Sequence, residues 1–285
     1  MDKRQPPSGG KVDRYQASNP RDFVGGLAKG LAVIQTFSDA TPRLTLVEVA
    51  QRTGLTRASA RRVLVTLCTL GFAEKIDDRH FMLTPKVLQL GNAYLSSTPM
   101  WQFAEPVLEQ LVRELDETCS LSVLDGEDAV YVLRIPVRRV LNRVSTVGSR
   151  LPAYCTSMGR MLLAMQSDEQ LERYLEAVVL RPYNASTIVD KSVLRETLMK
   201  TRQAGFAWVA GEIVPSIKGL AVPVFHVSGR TLAALTVSIN RAELDDAVFV
   251  RRALPALKRA STRLSASMAA LASPASSASA SMFSF

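Results

Sequence analysis

Between Phe23 and Leu70 the apolar residues recur at helical spacing. Leu27, Leu31, Ile34 and Phe37 fall at i, i+4, i+7 and i+10, one face of a helix. Leu44, Leu46, Val49 and Ala50 mark a short second helix, which Thr53-Gly54-Leu55 breaks. Thr56 then caps a third helix with apolar positions Ala60, Val63, Leu64, Leu67 and Leu70, and Gly71 ends it. Phe72–Ile76 and His80–Leu83 read as short strands joined at Asp77-Asp78-Arg79, a hairpin.

The pattern then changes. A helix over Pro85–Leu95 is followed by a break at Ser96-Ser97-Thr98-Pro99, and Met100–Thr118 is an amphipathic helix. Ser120–Leu124 and Ala129–Ile135 read as strands across the turn Asp125-Gly126-Glu127-Asp128, and Val140–Thr146 as another. Thr156–Met165 and Asp168–Leu175 read as helices, Lys218–Phe225 and Leu232–Ile239 as strands, and Ala247–Leu271 as a long helix. Strands mixed with flanking helices predict an α+β fold with a largely antiparallel sheet.

This gives five segments: a disordered tail at 1–22, a domain of three helices and a hairpin at 23–84, a linker helix at 85–99, an α+β domain at 100–271 and a flexible Ala/Ser tail at 272–285. Pro6-Pro7-Ser8-Gly9-Gly10 cannot bury enough apolar surface to offset its ordering entropy. The N-terminal stretch lacks the apolar centre of a secretory signal, and no apolar run is long enough to cross a bilayer, so a cytoplasmic location with no membrane partner is expected.

Charge sharpens the picture. The 285 residues carry a net charge of +9, most of it in about the first third of the chain, with a cluster at Arg57, Arg61 and Arg62. A basic balance suits a polyanionic partner. The three cysteines (Cys68, Cys119, Cys155) form no CxxC pair and there are only two histidines, His80 and His226. Neither a metal site nor a cofactor is expected.

The run Leu46–Leu64 has what a helix-turn-helix needs. Ala50 is small where two helices cross, Gly54 tolerates the positive φ of a tight turn, and Leu55 plugs the turn into the core. The helix after Thr56 shows Arg57, Ser59, Arg61 and Arg62 on a polar face, and side chains on the first turns of such a helix reach base edges in the major groove. The hairpin makes a wing with Lys75 and Arg79 available to phosphate. The bland alternative is a solvated helix face beside a loop.

These motifs resemble the IclR family of bacterial regulators. The resemblance is carried by Gly26–Ile34, the helix-turn-helix, Leu67–Phe72, Thr84–Gly91 as a linker-helix entry, Gly148–Arg160 as an effector-domain signature, and Gly219–Val224 as a late strand. Within that family Ala93–Pro99 and Leu151–Arg160 are similar to the PcaR/PcaU/PobR regulators of aromatic-acid, β-ketoadipate-pathway catabolism. The resemblance implies a winged helix-turn-helix joined to a GAF-like effector domain. It implies double-stranded operator DNA, a small organic-acid effector and a second copy of the chain (homodimer or dimer of dimers) as partners, with RNA polymerase added if the protein activates.

Position by position, the resemblance puts the effector against Ser157, Met158, Gly159, Glu212, Gly219, Thr236 and Ser238. A helix start near Thr156–Gly159 would cradle a carboxylate with free N–H groups. Arg160, one turn in, either adds charge to the pocket or faces solvent. Ala210–Lys218 departs from the family: Ala210 stands where Asp leads an acidic run, and Ser216 where Gly is usual.

The rival readings are a regulator of another carbon-catabolic pathway, a DNA binder without a ligand, and an enzyme using Cys155 and His226. The second leaves the large C-terminal domain unexplained. The third lacks a third orienting group and any GxSxG, P-loop or HExxH motif, so the chain is read as non-catalytic.

Overall fold

The computed structural model describes residues 23–97, 100–137, 145–241 and 245–272. The expected tails, residues 98–99 and most of the expected Val140–Thr146 strand lie outside these. The described chain forms two compact units, one ending at Ser97 and the other beginning at the residues that follow.

The first unit runs α1 (Gly25–Ile34), β1 (Leu44–Thr45), α2 (Leu46–Thr53), α3 (Arg57–Thr69), β2 (Ala73–Lys75), β3 (His80–Leu83), a 3-10 turn at Pro85–Val87 and α4 (Leu88–Ser96). Its core is Val33, Leu44, Val49, Ala50, Ala60, Leu64, Leu67 and Ala73. α1 does not bury the expected stripe: Val33 is inside, Ile34 and Phe37 pack at the edge, and Leu27 and Leu31 are exposed. Leu44 does not open α2 but pairs with Phe81 as a third wing strand, sheet order β1-β3-β2. The helix instead starts at a capping box: Thr45 Oγ1 accepts from Glu48 N (3.3 Å), and Glu48 Oε2 accepts from Thr45 N (2.7 Å). Gly54 ends α2 at φ +67°, the left-handed conformation that the tight turn requires.

The second unit runs α5 (Met100–Leu115), β4 (Thr118–Asp125), β5 (Asp128–Ile135), β6 (Arg150–Pro152), α6 (Ser157–Ala164), α7 (Asp168–Ala177), α8 (Lys191–Ala204), β7 (Ala207–Ala210), β8 (Ile217–Phe225), β9 (Thr231–Asn240) and α9 (Asp246–Ala272). The six strands form one antiparallel sheet in the order β6-β5-β4-β9-β8-β7. α5 and α9 pack together against the sheet, and α6 crosses β4, β8 and β9 and packs on α8. The α6–α8 layer makes the larger core, from Met158, Met161, Leu162, Leu163 and Leu171 to Leu194, Leu198, Ala221 and Ala234. Residues alternate across the sheet. On β4, Cys119 and Leu121 stand in register with Val237 and Leu235 of β9, while Thr118, Ser120 and Ser122 stand in register with Ser238, Thr236 and Ala234. The second set puts hydroxyls on the α6 side, in a layer otherwise largely apolar. α8 and β7 are elements that sequence periodicity does not reveal.

Candidate functional site

α3 of the first unit buries one face and exposes the other. Thr56 Oγ1 accepts from Ser59 N (3.2 Å), closing its first turn, and Ala60, Leu64 and Leu67 anchor it in the core. Arg57, Arg61 and Arg62 are exposed, together with Ala58, Val65 and Thr66, whereas Ser59 is half-buried on the flank. In the wing Lys75 and Arg79 are exposed, with Lys75 Nζ 3.9 Å from Asp78. Asp77 holds the wing tip by accepting from the backbone N–H of Arg79 and His80 (2.8 Å each) and sits 2.9 Å from His80 Nδ1. These hydrogen bonds pull its pKa down to about 2.

The second unit holds a cavity of about 220 Å³ between the sheet and α6. Ser157 and Met158 line it from α6, Thr236 and Ser238 from β9, Gly219 from β8, and Glu212 from the β7–β8 connection. Six of the seven expected effector residues thus border one space. Gly159 does not: its Cα lies against the Ala153 backbone, where any side chain would overlap. Its N–H donates to Thr156 Oγ1 (3.2 Å), which leaves Ser157 and Met158 as the N–H groups at the helix start that lack such a cap. Gly219 is needed for a related reason, since a side chain there would strike the Ser157 hydroxyl. Ser122 Oγ donates to Met158 Sδ (2.9 Å) and ties α6 to the sheet.

The cavity's charges are mostly paired. Glu212 meets Arg160 Nη2 at 2.7 Å, both side chains being buried, and Arg160 Nε donates to Tyr154 O at 2.7 Å. The structure therefore puts Arg160 neither in solvent nor among the cavity-lining residues. Glu117 lies 3.1 Å from Arg241 Nε, and Lys218 lies 2.5 Å from Asp246. Cys155 also borders the cavity, but burial pushes its thiol up to about 12, so the nucleophilic thiolate is not formed near neutral pH. His226 bonds Ser228 on an exposed turn. Among the described residues no cluster of His, Cys, Asp and Glu could hold a metal, and no helix is long and apolar enough to cross a membrane.

Among the cavity residues that sequence reasoning missed are Thr118, Tyr131 and Arg134. The alternation Thr118-Cys119-Ser120-Leu121-Ser122 is a usable signal for the first. Arg134 escapes because β5 bulges: Leu121 pairs with Leu133 but Ser122 with Tyr131, so Val132 is skipped. The bulge lets Tyr131 and Arg134, three residues apart, face one cavity.

A winged helix-turn-helix carried in one chain with a ligand-sized cavity is the plan of a ligand-responsive transcription regulator. The chain matches the model "IclR helix-turn-helix domain" over residues 26–77 and "Bacterial transcriptional regulator IclR C-terminal" over 92–266. It belongs to the IclR family, whose members regulate transcription and are not enzymes. It is 41% identical to the Pca regulon regulatory protein of Pseudomonas putida, covering 85% of this chain and 84% of that one. A solved transcriptional regulator from Rhodococcus sp. RHA1 superposes with a TM-score of 0.77 at 39% identity, over 87% of this chain and 100% of that one. The inducer-binding domain of the PobR transcription factor from Acinetobacter, solved as a double mutant with 3-hydroxybenzoic acid, matches 57% of this chain and 96% of its own, with 30% identity and a TM-score of 0.54.

Proposed function

We propose that this chain is an aromatic-acid-responsive regulator that binds operator DNA in the cytoplasm as a homodimer or a dimer of dimers. Arg57, Arg61 and Arg62 of α3 read the major groove with Thr56 and Ser59 at its edge, and Lys75 and Arg79 of the wing hold phosphate. Two copies would supply the two half-sites that specific operators present. Where the protein activates, RNA polymerase is a further partner.

The observation that carries the sensing role is the cavity itself. Its volume, about 220 Å³, falls below the roughly 300–1,000 Å³ of drug-sized pockets and suits a small organic acid. Ser157, Met158, Glu212, Gly219, Thr236 and Ser238 are assigned to its walls as the effector contacts. The relatives supply the chemical class: the name of one refers to the Pca regulon, and the other was solved with a hydroxybenzoic acid.

Calorimetry of the full chain tests the effector class, using 4-hydroxybenzoate, protocatechuate, β-ketoadipate and a neutral aromatic. Binding of at least one acid and not of the neutral compound is expected. Equal binding of the neutral compound, or binding of none, contradicts the reading.

A further inference from the structure

Three polar atoms of the second unit are buried with no hydrogen-bond partner and sit side by side. They are Arg134 Nη1 on β5, Ser120 Oγ on β4 and Thr236 Oγ1 on β9. Ser120 is in register with Arg134 on one side and with Thr236 on the other, so the three form one row across adjacent strands. Ser120 is fully buried and Thr236 nearly so, and both Arg134 and Thr236 line the cavity. Ser120, between them in the row, is sealed and not itself a lining residue; buried polar groups are nearly always satisfied, so the unsatisfied Arg134 and Thr236 on the cavity wall, with Ser120 between them, point to a ligand that satisfies the row.

The charges define that ligand. Every other charged residue lining the cavity has an opposite charge beside it: Glu117 with Arg241, Glu212 with Arg160, Lys218 with Asp246. Arg134 has no acidic group at ion-pair distance among the described residues. Its guanidinium carbon lies over the Tyr131 ring, 5.0 Å from the centroid, a cation–π contact. One unpaired guanidinium and two hydroxyl donors match one carboxylate, whose two oxygens accept about four hydrogen bonds.

We infer that Arg134, Ser120 and Thr236 form a preformed carboxylate site on the sheet, which fixes the acid end of the effector. The inference rests on the effector reading above and relocates its anchor from the α6 N-terminus to the β5–β4–β9 row. The rest of the effector then extends toward Met158 and Ile213. A second fixed anion is disfavoured, because Lys218 and Arg241 are already paired.

The test is calorimetry of the full chain and its Arg134→Met, Ser120→Ala and Thr236→Val variants. The probes are 4-hydroxybenzoate, adipate and 4-hydroxybenzamide, with thermal unfolding of each variant read alongside. Arg134→Met is expected to weaken binding of the acid by about 100-fold. The amide should not bind the native chain or this variant measurably, and the variant should raise the melting temperature of the unliganded protein by removing a half-buried cation whose Nη1 is sealed from solvent without a partner. Ser120→Ala and Thr236→Val should each weaken acid binding by about fivefold to tenfold. Should Arg134→Met fail to fold, the Ser120→Ala/Thr236→Val double variant decides by the same acid-against-amide comparison. Hydroxybenzoate binding that is indifferent to these variants overturns the site and leaves the aromatic-acid reading standing. Arg134-dependent binding of adipate without hydroxybenzoate keeps the site and overturns that reading. Failure of both acids to bind overturns the site.

Discussion

Arg160 and Glu212, fifty-two residues apart in sequence, form a buried ion pair with Nη2 2.7 Å from Oε2. The pair fastens α6, one wall of the cavity, to the β7–β8 connection, another wall. Glu212 Oε2 also accepts from Ile188 N at 3.2 Å, and Thr187 Oγ1 donates to Glu212 O at 2.6 Å, so a third segment joins the clamp. Removing one partner leaves an uncompensated buried charge. Glu212→Ala should therefore destabilise the second unit by about 3–5 kcal/mol in urea unfolding. The Arg160→Met/Glu212→Leu double variant should recover most of that loss while weakening effector binding. Equal stability of Glu212→Ala and the native chain would contradict the clamp.

Two glycines separate packing from binding. Gly159→Ala forces a methyl group into the Ala153 backbone and should cost about 1–3 kcal/mol of stability. Gly219→Ala strikes the Ser157 hydroxyl, which can rotate away into the cavity, and crowds Ser157 Cβ at 3.3 Å, a far milder overlap than at Gly159. It should unfold within a few degrees of the native chain yet lose effector affinity, as a thermal melt with and without 4-hydroxybenzoate would show. The reverse ranking would contradict the packing described.

On the DNA side, Arg61→Ala should weaken operator binding by about 1–3 kcal/mol and relax sequence preference at one position. Thr56→Ala removes the α3 cap and should lower stability by about 0.5–2 kcal/mol. Ser59→Ala should do less than Arg61→Ala, because Ser59 is half-buried. Fluorescence anisotropy on operator and on scrambled DNA reads all three. Unchanged affinity and preference in Arg57, Arg61 and Arg62 variants would remove α3 from the interface.

Assembly can be tested at the exposed apolar residues of the first unit. Leu27 is 64% exposed and Leu88 73%, with Leu31 and Leu90 also open. Such a surface suits contact with another copy. Leu27→Glu/Leu88→Glu should sediment as a monomer where the native chain sediments as a dimer. A native monomer at micromolar concentration, with and without DNA, would contradict the dimer.

Thiol chemistry checks the second unit independently. Burial raises the Cys119 and Cys155 thiols far above their ordinary range, to about 12 for Cys155. Because only the thiolate alkylates, both should resist iodoacetamide at pH 8, and half-buried Cys68 should label first. Rapid labelling of Cys155 in the folded protein would contradict its burial.

The helix-turn-helix is legible in the sequence because its determinants are local: a cap at Thr56, a left-handed glycine at Gly54, and apolar spacing through Leu64 and Leu67. The cavity is legible only in part. Thr236 and Ser238 follow strand alternation, but Arg134 is turned inward by a bulge that no periodicity encodes. α1 misleads for a different reason. Its apolar stripe is wider than its own unit can cover, so Leu27 and Leu31 look like core and lie outside. The fate of Arg160 depends on Glu212, a partner too distant in sequence for any pattern to pair them.

The central claim is that a small acid in the cavity controls DNA binding, and anisotropy on the operator tests it most directly. The native full chain and Ser157→Trp, which fills the cavity, are titrated onto labelled operator with and without saturating 4-hydroxybenzoate or protocatechuate. An acid should shift the native operator affinity by about 1–3 kcal/mol, the usual size of an allosteric coupling. Ser157→Trp should still bind DNA but no longer respond. An acid that binds the native chain without moving its operator affinity, or a Ser157→Trp variant that responds as the native chain does, would contradict it.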